Sequence, residues 1–269
     1  MGRARGSARD HGCQIRTDLM RTFKLVLRIF GILILAYIGL VALIYFRQRS
    51  MLFFPTHGVT ATRLSPWSDG HSTIGYCREA PNQQTIWLMM HGNAGQAADR
   101  DYVLRRMSEQ DSLYVLEYPG YGARPGSPSQ ESFNKAASEA YQLLRSRYPS
   151  TPTCVLGESI GSGSACSLAM QKIPPDKIVL VVPFDSLAKV GATHFPFLPV
   201  RLLVRDAWDN VESLKHYAGP VEIFAAESDN IIPIRHAQAL ASHLPTAHLT
   251  PIPGGHNDWS EHDEVRIRR

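Results

Sequence analysis

The stretch Leu156-Gly157-Glu158-Ser159-Ile160-Gly161-Ser162-Gly163 constrains this chain more than any other. Gly-x-Ser-x-Gly is the pattern of a serine raised on a tight strand-to-helix turn. Flanking side chains would collide where the chain reverses, and glycine accepts both the backbone angles and the close approach. The turn also opens a helix, so unpaired N–H groups and the positive end of the helix dipole face any negative charge that develops beside Ser159. Five residues recur by chance, and the surroundings decide. Residues 153–156 read as a short buried strand and residues 164–172 as a helix, which is the arrangement the pattern requires.

Alternating patterns extend in both directions. Strands are expected at 72–77, 85–90, 112–118, 177–182, 221–226 and 247–250, and helices at 97–110, 129–148 (capped by Ser129) and 234–243, with a turn at 66–70. Strands alternating with helices predict an α/β domain over residues 51–269, with a mostly parallel central sheet covered on both faces.

Residues 29–46 (IFGILILAYIGLVALIYF) carry no charge, and with residues 25–28 approach the ~20 residues needed to cross a bilayer. The run exceeds the core of a cleaved signal peptide, and Arg47-Gln48-Arg49 follows where a small-residue cleavage site would stand. Residues 25–46 are therefore expected to be an uncleaved anchor, and residues 1–24 a disordered basic tail in which Met20 is an alternative start. Gly2 falls short of a myristoylation pattern because the hydroxyl residue, Ser7, comes one place late. The cationic excess before the span predicts a cytoplasmic N-terminus, with the remainder across the membrane.

Charge excludes one class of partner. Of 28 basic and 24 acidic side chains, seven basic and two acidic fall in residues 1–28, so the rest is near neutral and no nucleic-acid groove is indicated. Cys13, Cys77, Cys154 and Cys166 lack metal-type spacing, and Cys154 and Cys166 read as small buried hydrophobes. No metal or nucleotide cofactor is implied: the glycine-rich elements lack a phosphate-loop lysine, and no helix face carries paired histidine ligands.

A serine hydroxyl becomes a nucleophile when a base takes its proton and an acid holds that base. Following the chain order Ser, acid, His, the base comes from His236, His243, His248, His256 or His262. The first three sit inside expected helices or a strand. His256, in Pro253-Gly254-Gly255-His256, occupies a glycine-rich loop from which an imidazole can reach across the strand ends, and is taken over His262. Asp229, past the strand at 221–226, is the expected acid; Asp185, one strand earlier, is its competitor. Main-chain N–H groups of Asn93, in Met90-His91-Gly92-Asn93-Ala94-Gly95, and of Ile160 are the expected oxyanion donors, with His91 structural.

Together with Glu117-Tyr118-Pro119-Gly120-Tyr121-Gly122 and Asp229-Asn230-Ile231-Ile232-Pro233, these motifs resemble the serine hydrolases of the α/β-hydrolase fold. More narrowly they resemble a subgroup with one N-terminal membrane helix, lysophospholipase-like in bacteria, whose eukaryotic relatives include lysophospholipid lipases and protein depalmitoylases. The resemblance spans residues 51–260. It implies a triad of Ser159, Asp229 and His256 and hydrolysis of an ester or thioester without fixing the substrate; the anchor, which keeps the site near molecules that partition into a bilayer, points to a small acyl ester or lipid. Residues 184–214, too short for a large lid, depart from lid-gated lipases. A peptidase or amide hydrolase on the same triad, and a binding protein that lost its chemistry, are the alternative classes.

Overall fold

A computed structural model describes residues 7–58 and 61–269; Gly2 lies outside them, and so does the side chain of Cys13. The chain divides into two units, one ending at Gln48 and the other Arg49–Arg269.

Helix α1 (Ser7–Leu52) is continuous, and within it Asp18–Leu52 is long and apolar enough to cross a membrane. The tail expected to be disordered over 1–24 is helical over residues 7–24, and residues 1–6 lie outside the described residues. Once an apolar helix is nucleated, each added residue gains a hydrogen bond without a further nucleation cost, so the helix propagates into polar sequence.

The second unit is built on an eight-stranded sheet. In chain order its elements are β1 (Phe54–Pro55), β2 (Ser65–Ser68), β3 (Thr73–Arg78), β4 (Thr85–Met90), β5 (Ala94–Gly95), β6 (Asp111–Leu116), α2 (Gln130–Arg147), β7 (Thr153–Glu158), α3 (Gly161–Ser167), β8 (Ile178–Val181), α4 (Leu187–His194), α5 (Val200–Leu203), α6 (Asn210–Leu214), β9 (Val221–Ala226), α7 (Arg235–Ser242) and β10 (Ala247–Ile252). The sheet order is β2-β3-β6-β4-β7-β8-β9-β10, with β1 and β5 forming a separate two-stranded parallel pair. The run from β6 to β10 is parallel, and β2 and β3 join antiparallel at one edge.

The central strands read as unbroken apolar runs because both faces of a parallel sheet are covered; β4, β6, β7 and β8 are buried throughout. On one face, α2 presents Phe133, Ala136, Ala137, Ala140, Tyr141 and Leu144, a spacing that keeps one helical stripe against the sheet. Its N-terminus is fixed by a reciprocal cap: Ser132 N–H donates to Ser129 Oγ at 3.0 Å, and Ser129 N–H to Ser132 Oγ at 3.0 Å. The other face is closed by Trp87, Val103, Trp259, Val265 and Ile267.

Three local expectations are corrected. The turn expected at 66–70 overlaps β2, which runs on to Ser68, because Pro66 sits on the edge strand, where a missing N–H leaves no internal ladder bond unmade. The helix expected over 97–110 is a 3-10 helix, Ala97–Arg106, kinked at Arg100. The helix expected over 164–172 starts earlier, at Gly161, and tightens to a 3-10 turn after Ser167. Within residues 51–55, Phe53 is buried against Phe133 and Trp208, with ring centroids 5.2 and 6.5 Å apart, while Met51 and Phe54 are exposed.

Candidate active site

Parallel strands end on a common edge, and loops beyond those ends form a shared crevice. β4, β7, β9 and β10 run the same way, so the loops bearing Asn93, Ser159, Asp229 and His256 emerge side by side.

Ser159 has φ +53°, a left-handed conformation that a non-glycine residue holds only when its surroundings fix it. They do: Ser159 N–H donates to Val181 O at 2.9 Å, and Ser162 N–H to Ser159 O at 3.0 Å. The flanking glycines serve close approach alone. A Cβ on Gly161 would fall 2.1 Å from Met90 O, and one on Gly157 would fall 2.7 Å from both Ser162 Cα and Ala165 Cβ.

His256 Nε2 lies 2.8 Å from Ser159 Oγ, and His256 Nδ1 lies 2.7 Å from Asp229 Oδ2. The acid loop and the histidine loop are joined by Ser228 N–H to Gly254 O at 3.0 Å. Among the described residues, neither Asn93 N–H nor Ile160 N–H donates to a protein acceptor, and both residues line the cavity at Ser159.

The competing acid is otherwise engaged. Asp185 accepts from Lys189 Nζ at 2.8 Å and Ser186 N–H at 2.8 Å, and its Oδ1 lies 2.8 Å from His236 Nδ1. Burial raises its carboxyl, but these partners outweigh that and hold it below its ordinary value. His262 follows a short 3-10 helix, Trp259–Glu261, and packs beside Gly254. His91 is buried with Nδ1 2.7 Å from Gly92 O, its ring against Tyr118 at 4.4 Å between centroids. Cys77, Cys154 and Cys166 are unpaired and buried.

Sequence reasoning missed Glu158. Its buried carboxylate accepts Gly92 N–H at 2.8 Å, Tyr102 Oη–H at 2.8 Å and Trp259 Nε1–H at 2.9 Å, with Arg100 Nη1 at 3.9 Å. Burial alone would raise its pKa; Arg100 and the donors from Trp259, Gly92 and Tyr102 hold it below the ordinary value. The signal was present in β7, where an acid ends a run of otherwise apolar and small residues on a central strand.

The site opens into a cavity of about 590 Å³ walled by apolar side chains including Leu52, Phe54, Phe184, Leu187, Val190 and Ile232. Leu187 and Val190 come from α4, within the short segment expected to be too small for a lid.

A mostly parallel eight-stranded sheet with a strained serine between a central strand and its helix is the architecture of an α/β-hydrolase. No known family profile matches the chain. It is 30% identical over 249 residues to the uncharacterised protein MT2364 of Mycobacterium tuberculosis, covering 86% of this chain and 88% of that one. It is 26% identical over 208 residues to the lysophosphatidylserine lipase ABHD12 of Mus musculus, covering 69% of this chain and 52% of that relative, about half its length. Among solved structures, a CIB-like hydrolase from Thermoplasma acidophilum aligns with a TM-score of 0.54 at 19% identity, over 76% of this chain and 93% of that one. The esterase Pf2001 of Pyrococcus furiosus aligns with a TM-score of 0.58 at 13% identity, over 78% and 94%. The chain belongs to the same family as MT2364, and its fold is that of the α/β-hydrolases.

Proposed function

We propose that the chain is a membrane-anchored serine hydrolase that cleaves carboxylic esters or thioesters, with lipid-like acyl groups preferred. The observation that carries this reading is the unbroken relay from Ser159 Oγ through His256 to Asp229, at 2.8 and 2.7 Å. Asp229 holds the imidazole so that Nε2 faces the hydroxyl, and stabilises the imidazolium that forms when the Ser159 proton moves to it. Ser159 Oγ attacks the acyl carbonyl, and the resulting alkoxide is received by the N–H groups of Asn93 and Ile160, which are fixed before the reaction starts. His256 then returns the proton to the departing alcohol or thiol as the acyl–oxygen or acyl–sulfur bond breaks. Water, deprotonated by the same ring, releases the acid from Ser159.

Two features support a lipid-like substrate. The cavity wall is largely apolar, which favours a long acyl chain over a polar group. The N-terminal helix exposes apolar side chains, among them Leu25, Ile32, Leu35 and Phe46, as a helix in contact with lipid does. The cationic excess ahead of this helix favours a cytoplasmic N-terminus with the hydrolase unit on the opposite side. Arg49 is paired with the buried Asp206 at 2.8 Å.

Replacing Ser159 with Ala tests the reading. Hydrolysis of p-nitrophenyl acyl esters and labelling by a fluorophosphonate should both vanish, and persistent labelling on another serine would overturn it. Protease protection of the residues after Arg49 in sealed membranes tests the side on which the unit lies.

A further inference from the structure

We infer that Glu158 and Arg100 are positioning residues that set the Asn93 N–H as an oxyanion donor, an inference that rests on the hydrolase reading above. A donor contributes to catalysis only if its direction is fixed in advance, and a peptide N–H is fixed by the two peptide units around it. Here the peptide unit before it and the second one after it are gripped by opposite ends of one ion pair. On the near side of Asn93, Glu158 Oε2 accepts Gly92 N–H at 2.8 Å. On the far side, the Arg100 guanidinium donates to Ala94 O. Between them, Tyr121 Oη–H donates to Asn93 O at 2.8 Å. The carbonyls of Gly92, Asn93 and Ala94 and the N–H of Gly92 are thus committed, while Asn93 N–H faces no protein acceptor within the described residues.

The same carboxylate ties the loop to the rest of the site. Glu158 directly precedes Ser159, so Gly92 is fastened to the chain segment that carries the nucleophile. Glu158 Oε1 accepts Trp259 Nε1–H at 2.9 Å, three residues beyond His256. Tyr102 donates to that oxygen at 2.8 Å and receives Arg100 Nη1–H at 3.3 Å, which closes the circuit. Gly92 leaves room for this: a Cβ there would lie 3.3 Å from the Glu158 carboxyl carbon. A buried acid with this many donors stays ionised, so its grip on Gly92 is charge-assisted.

A buried ion pair that served stability alone would affect folding and leave the chemical step of the folded protein unchanged. The full-length protein in detergent distinguishes the two roles, using Glu158→Gln, Arg100→Lys and the milder Tyr102→Phe. For each, kcat and KM for a p-nitrophenyl acyl ester are measured. Inhibition by a trifluoromethyl ketone, which forms an oxyanion adduct on the serine, is compared with inhibition by the matching unreactive alcohol. The expected result is a fall in kcat of about 100-fold for Glu158→Gln and about 10-fold for Tyr102→Phe with KM little changed, the size of effect that a small misplacement of a catalytic group produces. The trifluoromethyl ketone should weaken by the same factors and the alcohol should not. If Glu158→Gln or Arg100→Lys fails to fold, Tyr102→Phe decides. Unchanged kcat and ketone affinity in a folded variant, or equal weakening of ketone and alcohol, overturns the inference while fluorophosphonate labelling of Ser159 keeps the hydrolase reading. Absence of that labelling in the unsubstituted protein overturns both.

Discussion

Asp229 holds His256 with one carboxylate oxygen and its own loop with the other. Oδ2 lies 2.7 Å from His256 Nδ1, while Oδ1 accepts the N–H groups of Ile231 and Ile232 at 2.8 and 2.7 Å. The imidazole is thus oriented by a group that is itself immobilised. Asp229→Asn preserves the shape but presents a side chain that can donate to the ring, favouring the wrong tautomer, so kcat should fall by about 10⁴. Asp185→Asn, in the competing His–Asp pair, should instead cost about 1–3 kcal/mol of stability by weakening the bonds to Lys189 and His236, with the folded fraction still active. Ester hydrolysis normalised to folded protein separates the two.

Gly161→Ala tests the close approach at the serine turn. The new Cβ would meet Met90 O at 2.1 Å, a backbone atom locked in the central strand β4. Relief requires moving the sheet or the turn, so a loss of at least about 1–3 kcal/mol is expected, read as a lower denaturant midpoint. Fluorophosphonate labelling of whatever fraction folds should slow as well.

Acid stability should report Glu158. Its folded carboxyl titrates below the ordinary value of 4.5, so the native state binds fewer protons than the unfolded state as pH falls toward that value. The stabilisation is complete above this range and is lost as pH drops through the folded pKa. Thermal midpoints of the unsubstituted protein and Glu158→Gln should therefore differ most near neutrality and converge as pH falls below 4.5 and through the lowered folded pKa.

Cys154 and Cys166 should resist alkylation in the native protein. Burial pushes the Cys154 thiol up to about 12 and the Cys166 thiol higher still, which removes the reactive thiolate as well as access. Cys77, pushed up to about 11, should behave likewise. Site-resolved mass spectrometry after iodoacetamide should find all three modified only once the unit is unfolded.

The parts of the fold legible in sequence were those written as uninterrupted local patterns. The apolar runs of β4 and β9 and the serine-capped α2 follow from residues adjacent in the chain. Ser159, Asp229 and His256 could be singled out because each stands just past a strand end, and the structure brings those three together. What remained hidden depends on partners distant in sequence. Glu158 reads as the variable position of a motif until Gly92, Tyr102 and Trp259 are seen around it. The pairing of β1 with β5 involves two residues on each side, too few for any periodicity. The kink at Arg100 accompanies the approach of its guanidinium to Glu158, a partner far along the chain that no local propensity encodes.

That short ladder bears on how a soluble form of this protein could be cut. Phe54 pairs with Ala94 and Pro55 with Gly95, Thr56 N–H donates to Gly95 O at 3.2 Å, and Phe54 N–H reaches Asn93 Oδ1 at 3.3 Å. The residues that leave the apolar helix are therefore a splint for the loop beside Ser159. A truncation beginning at Arg49 keeps the splint; one beginning at Gly58 discards it together with the buried Phe53, and leaves the loop beside Ser159 to the hold of Glu158, Arg100 and Tyr121.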